Sequence, residues 1–241
     1  MADLFPNTGG SPRRVRVIDF ETTGTPEDEG AEIIELGRID VDLVTRDIGN
    51  AWTSLARPRS PIPPVTMAVH HITDEDVASS PQLATLWQPF FEGCAPEDLL
   101  AAHNAQFEQH FHKGNGRAWI DTYKCALVVW PDAPTHSNQG LRYCLGLDLD
   151  RELASPPHRA LPDAYVTAHI LNRLLDEKSP DELVQISKYP ALLRRITFGT
   201  KAKGQLFSEA PLDYLEWIAA KSDLNADTKF TARYWLKKRG W

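Results

Sequence analysis

The order of strand-like and helix-like segments is the feature that most constrains the fold of this chain. Three short strand-like segments come first, at residues 15–20, 33–41 and 51–56, with turn residues between them. A short apolar segment at 98–102 precedes a helical pattern, and residues 160–175 carry apolar side chains at helical spacing. Strands that alternate with helices after an initial meander predict a layered α/β domain.

The composition changes at residues 176–180, where charged residues and a proline interrupt the helical pattern. Residues 181–241 contain 11 Lys and Arg against 7 Asp and Glu, whereas the rest of the chain contains 15 against 26. We therefore predict a flexible leader over residues 1–13, a main domain over 14–178 and a small basic module over 179–241. An acidic body with a basic end suits an enzyme that binds cations at its site and phosphates elsewhere, but ordinary acidic proteins share this balance.

The overall charge and the cysteines limit the partners and the compartment. The formal net charge is −7, which by itself argues against nucleic acid because phosphate binding requires basic surface. Cys94, Cys125 and Cys144 form no Cys-x-x-Cys pair, so a reducing cytoplasm is the simplest location. No apolar run approaches the roughly 20 residues of a membrane span, and the first residues lack the pattern of a secretory signal. We therefore expect a cytoplasmic protein with no membrane partner.

Two carboxylates stand at the end of the first predicted strand. Asp19 and Glu21 flank Phe20, and residues two apart in a strand point to the same face of the sheet. Neighbouring carboxylates repel each other when both are ionised, and a bound cation relieves that repulsion. Oxygen ligands of this kind suit Mg²⁺ or Mn²⁺. A solvated strand end would have the same pattern, so this pair alone does not establish a metal site.

Two later segments add acidic residues and a histidine. Residues 103–108 lead from a small-residue strand end into a helix whose first turn presents Glu108, a position that the helix dipole also favours without any function. His158 and Asp163 are five residues apart, roughly 140° around a helix, so they would not share a helical face. We place His158 on the loop before the helix and Asp163 near its first turn. A histidine beside a metal-bound aspartate is suited to act as a general base.

In this order, the segments resemble the motifs of a known family, the DnaQ-like 3′→5′ exonucleases of the DEDDh type. The three matching segments are residues 17–24, 103–108 and 158–164. The resemblance covers about residues 14–175 and implies a ribonuclease H-like mixed sheet flanked by helices. Within the family, residues 68–73 and 198–204 are most similar to the exonuclease X group.

The resemblance also implies roles for the site residues. Asp19, Glu21 and Asp163 would hold the first of two Mg²⁺ or Mn²⁺ ions. Asp19, with Glu108 acting through water, would hold the second ion, and His158 would take a proton from the attacking water. The family has Asp where this chain has Glu108, so the carboxylate is kept but reaches one methylene further.

The implied partner is DNA with a free 3′ end, as a single strand or an overhang, and RNA is the alternative. We expect a 3′→5′ exonuclease that acts in DNA repair or turnover. An RNA-trimming exoribonuclease of the same fold, or a catalytically weakened nucleic-acid-binding module because of Glu108, are the competing hypotheses. The predicted nucleic-acid contacts are Phe20, Thr22, Thr23, His71, Ile72, Asn104, Lys201 and Lys203.

Overall fold

The computed structural model describes residues 12–220 and 223–240, so the predicted leader lies outside the described residues except for its last two positions. The strands are β1 (Arg14–Thr22), β2 (Ile33–Asp42), β3 (Ile48–Leu55), β4 (Leu99–Ala102) and β5 (Trp119–Asp121). The first helices are α1 (Pro64–His70), α2 (Asp74–Val77), α3 (Leu83–Phe91), α4 (Gln106–Phe111) and α5 (Thr122–Val129). They are followed by α6 (Asn138–Cys144), α7 (Ala160–Glu177), α8 (Pro180–Ser187), α9 (Leu212–Ala220) and α10 (Ala226–Lys238). One turn of 3₁₀ helix, Gly114–Gly116, lies between α4 and β5.

The five strands form one mixed sheet in the order β3-β2-β1-β4-β5. The β1–β2 and β2–β3 pairs are antiparallel, whereas β1–β4 and β4–β5 are parallel. Helices cover both faces, which confirms the predicted α/β class with a mixed sheet. β3 begins at Ile48, three residues before the predicted start, because backbone pairing with β2 continues to Val41 opposite Ile48.

Alternation along β1 determines what each face of the sheet contacts. Val15 and Val17 belong to an apolar cluster that includes α5 and α7, whereas Ile18 and Phe20 belong to a cluster that includes α3. Because Asp19 and Glu21 continue the odd-numbered series, they lie on the α7 face of the sheet.

α7 begins directly over β2. A Cβ atom at Gly37 would lie 2.3 Å from the carbonyl carbon of Ala160 and 2.4 Å from the amide nitrogen of Leu161. Only a residue without a side chain allows this close approach. The contact brings the first turn of α7 to the edge of the sheet where β1 ends.

The C-terminal residues divide between two cores. α8 packs on β5, and Leu183 and Val184 join the cluster around α7. A separate apolar cluster runs from Ile196 to Leu236 and includes α9 and α10. The boundary between residues 178 and 179 stays a prediction, but the observed change of core comes after α8. Within the described residues, no helix is both long enough and apolar enough to cross a membrane.

Candidate active site

Three carboxylates meet where β1 ends against α7. Asp19 and Glu21 come from β1, and Asp163 comes from the first turn of α7. Each residue offers one carboxylate oxygen, and these three oxygens lie within 4.8 Å of one another. The structure therefore brings together the three acids that the sequence assigned to one metal site.

The acids of this cluster are difficult to ionise together. Burial, followed by the charge of Glu21, raises the pKa of Asp19 well above its usual range. Burial and the charge of Asp163 raise the pKa of Glu21 from 4.5 to about 8. Burial also raises the pKa of Asp163, although hydrogen bonds from Gln139 and His158 oppose this rise. A divalent cation would offset the repulsion and allow all three groups to ionise.

Two hydrogen bonds orient the carboxylate of Asp163. Gln139 donates from Nε2 to Oδ1 at 2.8 Å, and the backbone N–H of His158 donates to Oδ2 at 2.8 Å. Asn138 donates from Nδ2 to the backbone oxygen of Asp163 at 3.2 Å and to the hydroxyl of Thr167 at 2.6 Å. The start of α6 therefore fixes the start of α7.

His158 lies on the loop before α7, as its position in the sequence suggests. Its φ angle is 60°, in the left-handed region, and its side chain is exposed. Its backbone is held by Asp163, so the imidazole is anchored next to the acidic cluster while its ring faces solvent. This position is compatible with proton transfer to or from water at the cluster.

Glu108 lies close to the cluster but outside it. Its side chain is in α4 and is 3% exposed, and its Oε2 atom is buried without a hydrogen-bond partner. Burial raises its pKa well above the usual range, and the charges of Asp121 and Glu21 add to this effect. A buried carboxylate oxygen without a partner is suited to a cation or to water held by one.

The three motifs lie within one long match to a known family. The model of the exonuclease family RNase_T matches residues 17–171, well over half of the chain. The chain belongs to this exonuclease family. DEDDh exonucleases use divalent metal ions, and the acidic cluster of this exonuclease provides oxygen ligands of the required kind.

Similar proteins narrow the class of exonuclease. Exodeoxyribonuclease 10 of Escherichia coli (strain K12) is 31% identical over 229 residues, which cover 92% of this chain and 99% of that protein. DNA polymerase III subunit epsilon of Haemophilus influenzae is 35% identical over 176 residues, or 66% of each chain. These matches confirm the resemblance to DnaQ-like 3′→5′ exonucleases, and the chain is such an enzyme.

Solved structures agree with this assignment. Exonuclease X in complex with 5′ overhanging duplex DNA aligns with a TM-score of 0.61 at 31% identity, covering 72% of this chain and 99% of that one. The nuclease domain of 3′hExo, a DEDDh family member bound to rAMP, aligns with a TM-score of 0.57 at 20% identity, covering 69% and 93%. The second alignment shows the shared fold alone, and both confirm the ribonuclease H-like architecture.

Sequence reasoning assigned no role to an ion pair beside the site, between buried Glu35 and half-buried Arg159. Glu35 of β2 lies opposite Glu21 in the strand register and is 3% exposed. It accepts hydrogen bonds from Arg159 Nε at 2.9 Å, from Arg159 Nη2 at 2.6 Å and from the backbone N–H of Ala160 at 3.0 Å. The available signal was a glutamate between apolar neighbours, Ile34 and Leu36, because a buried glutamate rarely lacks a partner.

Four of the residues predicted to contact nucleic acid make contacts within the exonuclease itself. The hydroxyl of Thr22 donates to the carbonyl of Gly24 at 2.6 Å, and the hydroxyl of Thr23 accepts from the N–H of a neighbouring loop residue at 2.9 Å. Phe20 and Ile72 are 4% and 2% exposed within apolar clusters. Their side chains therefore offer little surface to a nucleic-acid base, and their contact role stays a prediction.

The other predicted contacts are accessible. His71 and Asn104 are exposed and adopt positive φ angles of 59° and 72°. Lys201 and Lys203 are exposed in the C-terminal module. Lys201 is engaged with Asp213, at 2.9 Å between Nζ and Oδ2, so part of its charge is already balanced.

Proposed function

We propose that this exonuclease removes nucleotides from the 3′ end of DNA, using two Mg²⁺ or Mn²⁺ ions held by Asp19, Glu21, Asp163 and Glu108. The observation that carries this proposal is the convergence of three carboxylates within 4.8 Å beside a fourth, buried carboxylate with an unpaired oxygen. Bound ions of this type stabilise charge on the attacking and leaving oxygens of a phosphodiester. Hard oxygen donors without sulfur or imidazole in the cluster favour such ions.

The residues of the chain supply orientation and proton transfer. Gln139 and the backbone of His158 hold both carboxylate oxygens of Asp163, so this ligand is fixed before substrate arrives. His158 takes a proton from the water that attacks the terminal phosphorus, and the leaving group is the 3′ oxygen of the preceding nucleotide. Its exposed ring beside Asp163 supports this role.

DNA is the substrate that the relatives favour. The name of the Escherichia coli relative specifies a deoxyribonuclease, and exonuclease X was solved with 5′ overhanging duplex DNA. We therefore assign DNA with a free 3′ end, as a single strand or an overhang, as the substrate, and DNA repair or turnover as the setting. A cytoplasmic location is part of the proposal, since Cys94, Cys125 and Cys144 are all free thiols that suit a reducing compartment.

The test compares one sequence as labelled single-stranded DNA, duplex DNA with a 3′ overhang, and RNA, each with Mg²⁺, Mn²⁺ or EDTA. We expect stepwise shortening of both DNA forms from the 3′ end with either ion, and no reaction in EDTA. Activity that persists in EDTA would contradict the metal site. Faster loss of RNA than of DNA would identify an exoribonuclease instead.

A pair of variants links that activity to the cluster. Asp19→Asn should abolish turnover with the fold intact, because it removes a carboxylate that two ions would share. Asp176→Asn makes the same chemical change on the exposed far end of α7 and should leave turnover unchanged. Full activity in Asp19→Asn would refute the assignment.

A further inference from the structure

A cavity of about 680 Å³ lies beside the active site and is walled partly by the C-terminal module. Asn104 and Phe107 line it from the motif around α4, and Asn225 and Asp227 line it from the start of α10. Asn138 also lines it and hydrogen-bonds the backbone of Asp163 at 3.2 Å, which places the cavity next to the acidic cluster. The module is therefore part of the surface that surrounds the site.

A second cavity of about 350 Å³ continues from the first. The two share Tyr123 and Ser137 in their walls. The walls of the second cavity also include Arg194, Arg195 and Thr197, which belong to the segment that leads into the core of the C-terminal module. Together the two cavities define a groove, which we call the strand groove, that passes the start of α7 at Asn138 and includes this arginine pair.

The chemistry of the strand groove changes along its length. The first cavity presents amide side chains and the ring of Phe107, Tyr123 lines both cavities, and the second cavity presents the ring of His136. The second cavity also contains two guanidinium groups, whose planar arrangement of N–H donors suits paired hydrogen bonds to two oxygens of a phosphate. Stackable rings followed by cations are the combination that single-stranded nucleic acid requires.

Internal contacts hold the charged groups of the groove in place. Arg194 forms an ion pair with Asp132, and Arg195 donates from Nη1 to the carbonyl of Gly204 at 2.9 Å. Asp227 accepts from the backbone N–H of Ala191 at 2.8 Å, so this acid serves the fold of the module. Glu27 is exposed at the rim of the first cavity. Arg195 is therefore the groove cation whose charge no carboxylate of the described residues is seen to balance.

We infer that the strand groove binds the nucleotides on the 5′ side of the cleaved 3′ nucleotide, with Arg194 and Arg195 contacting their phosphates. The inference rests on the proposed function, because the strand must already have its 3′ end at the acidic cluster. The inference assigns the phosphate contacts of the C-terminal module to these arginines. Lys201 and Lys203 do not line the groove.

The test measures KM and kcat on single strands of about 4 and about 12 nucleotides. The short strand would occupy mainly the active site, whereas the long strand would also reach the arginine pair of the groove. In Arg194→Gln/Arg195→Gln we expect a roughly tenfold higher KM for the long strand only, with kcat unchanged. The salt dependence of the KM should also become shallower, by about 0.7 in the logarithmic slope per lost phosphate contact. Lys237→Gln/Lys238→Gln removes the same charge from the exposed end of α10, outside the groove, and should change neither quantity.

A second pair of variants leaves the arginines in place. Thr197→Glu adds a negative charge at the exposed end of the groove, and Thr200→Glu adds it three residues away, outside the lining. Only Thr197→Glu should raise the KM of the long strand. Equal effects of the members of each pair, or an unchanged KM in both groove variants, would overturn the inference while the wild-type enzyme still degrades DNA. A wild-type protein that degrades neither strand would contradict the proposed function itself.

Discussion

The guanidinium of Arg159 donates two hydrogen bonds to the carboxylate of Glu35, at 2.9 Å from Nε and 2.6 Å from Nη2. This pair connects β2 to the residue directly after His158, four residues before Asp163. The carboxylate of Glu35 also accepts the N–H of Ala160, the first residue of α7. The loop that carries the proposed base is therefore fastened to the sheet beneath the acidic cluster.

Removing one partner of this pair should reduce both stability and turnover. In Arg159→Met, Glu35 keeps only the Ala160 hydrogen bond, so we expect a loss of about 1–3 kcal/mol in the free energy of unfolding. The kcat should fall at least tenfold, because His158 and Asp163 lose their fixed position, whereas the KM should change little. Urea unfolding and steady-state kinetics measure both effects.

The double variant Glu35→Gln/Arg159→Met provides the control for this coupling. If the two residues act as a pair, the double variant should be about as stable as the worse single variant rather than twice as damaged. Additive losses in stability would show that the pair does not act as a unit.

The acidic cluster should make the metal-free protein less stable as the pH rises. The pKa of Glu21 is raised from 4.5 to about 8 in the folded state, so between these values the unfolded chain has released a proton that the folded protein retains. The free energy of unfolding therefore falls with rising pH in this window, by at most about 5 kcal/mol for the shift of Glu21 alone. Thermal unfolding in EDTA from pH 5 to 8 measures it.

Metal ions and one variant should reverse this loss. Mg²⁺ or Mn²⁺ at pH 8 should restore stability, because a bound cation favours the ionised carboxylates. Glu21→Gln should be more stable than the wild type at pH 8 in EDTA and should depend less on pH. A wild-type stability that does not vary over this range in EDTA would contradict the expected repulsion.

Local sequence rules were sufficient for much of the site. The two-residue spacing of Asp19 and Glu21 placed both carboxylates on one face of β1, where they are found. The five-residue spacing of His158 and Asp163 separated the loop residue from the helix residue, and α7 begins between them at Ala160. These features depend on neighbours in the chain, so periodicity alone determines them.

Features that depend on contacts between distant parts of the chain could not be predicted from the sequence. Glu35 and Arg159 are 124 residues apart, and only the packing of α7 over β2 brings them together. Gln139 faces Asp163 through the crossing of α6 and α7, which no local pattern fixes. The packing of α8 onto β5 likewise follows from tertiary contacts, so the change in composition near residue 178 does not coincide with the change of core.

His158 should affect catalysis far more than binding. We expect His158→Ala to lower kcat by roughly 10²–10⁴-fold, the usual contribution of a general base, with DNA affinity almost unchanged. His169→Ala, at a half-buried histidine on α7 that lines neither cavity of the strand groove, provides a matched control that should keep its kcat. Equal losses of turnover and affinity in His158→Ala would indicate a role in holding the phosphate instead.

The effect of Glu108 on turnover distinguishes a fully active exonuclease from a weakened one. Its unpaired, buried Oε2 is available to a cation or its water, so we expect the native glutamate to support full turnover. Glu108→Gln keeps the size of the side chain but removes the charge, and it should lower kcat by at least about 100-fold, as expected when transition-state charge loses its stabilisation.

Glu108→Asp restores the residue of the DEDDh pattern but shortens the side chain within α4. The surrounding structure is built around the longer side chain, which is 3% exposed, so we expect activity between those of the wild type and Glu108→Gln. Turnover of single-stranded DNA with Mg²⁺ and with Mn²⁺ compares the three proteins. A large gain in Glu108→Asp over a nearly inactive wild type would identify the chain as a weakened nuclease that binds nucleic acid, because the added methylene would then be what displaces the ion.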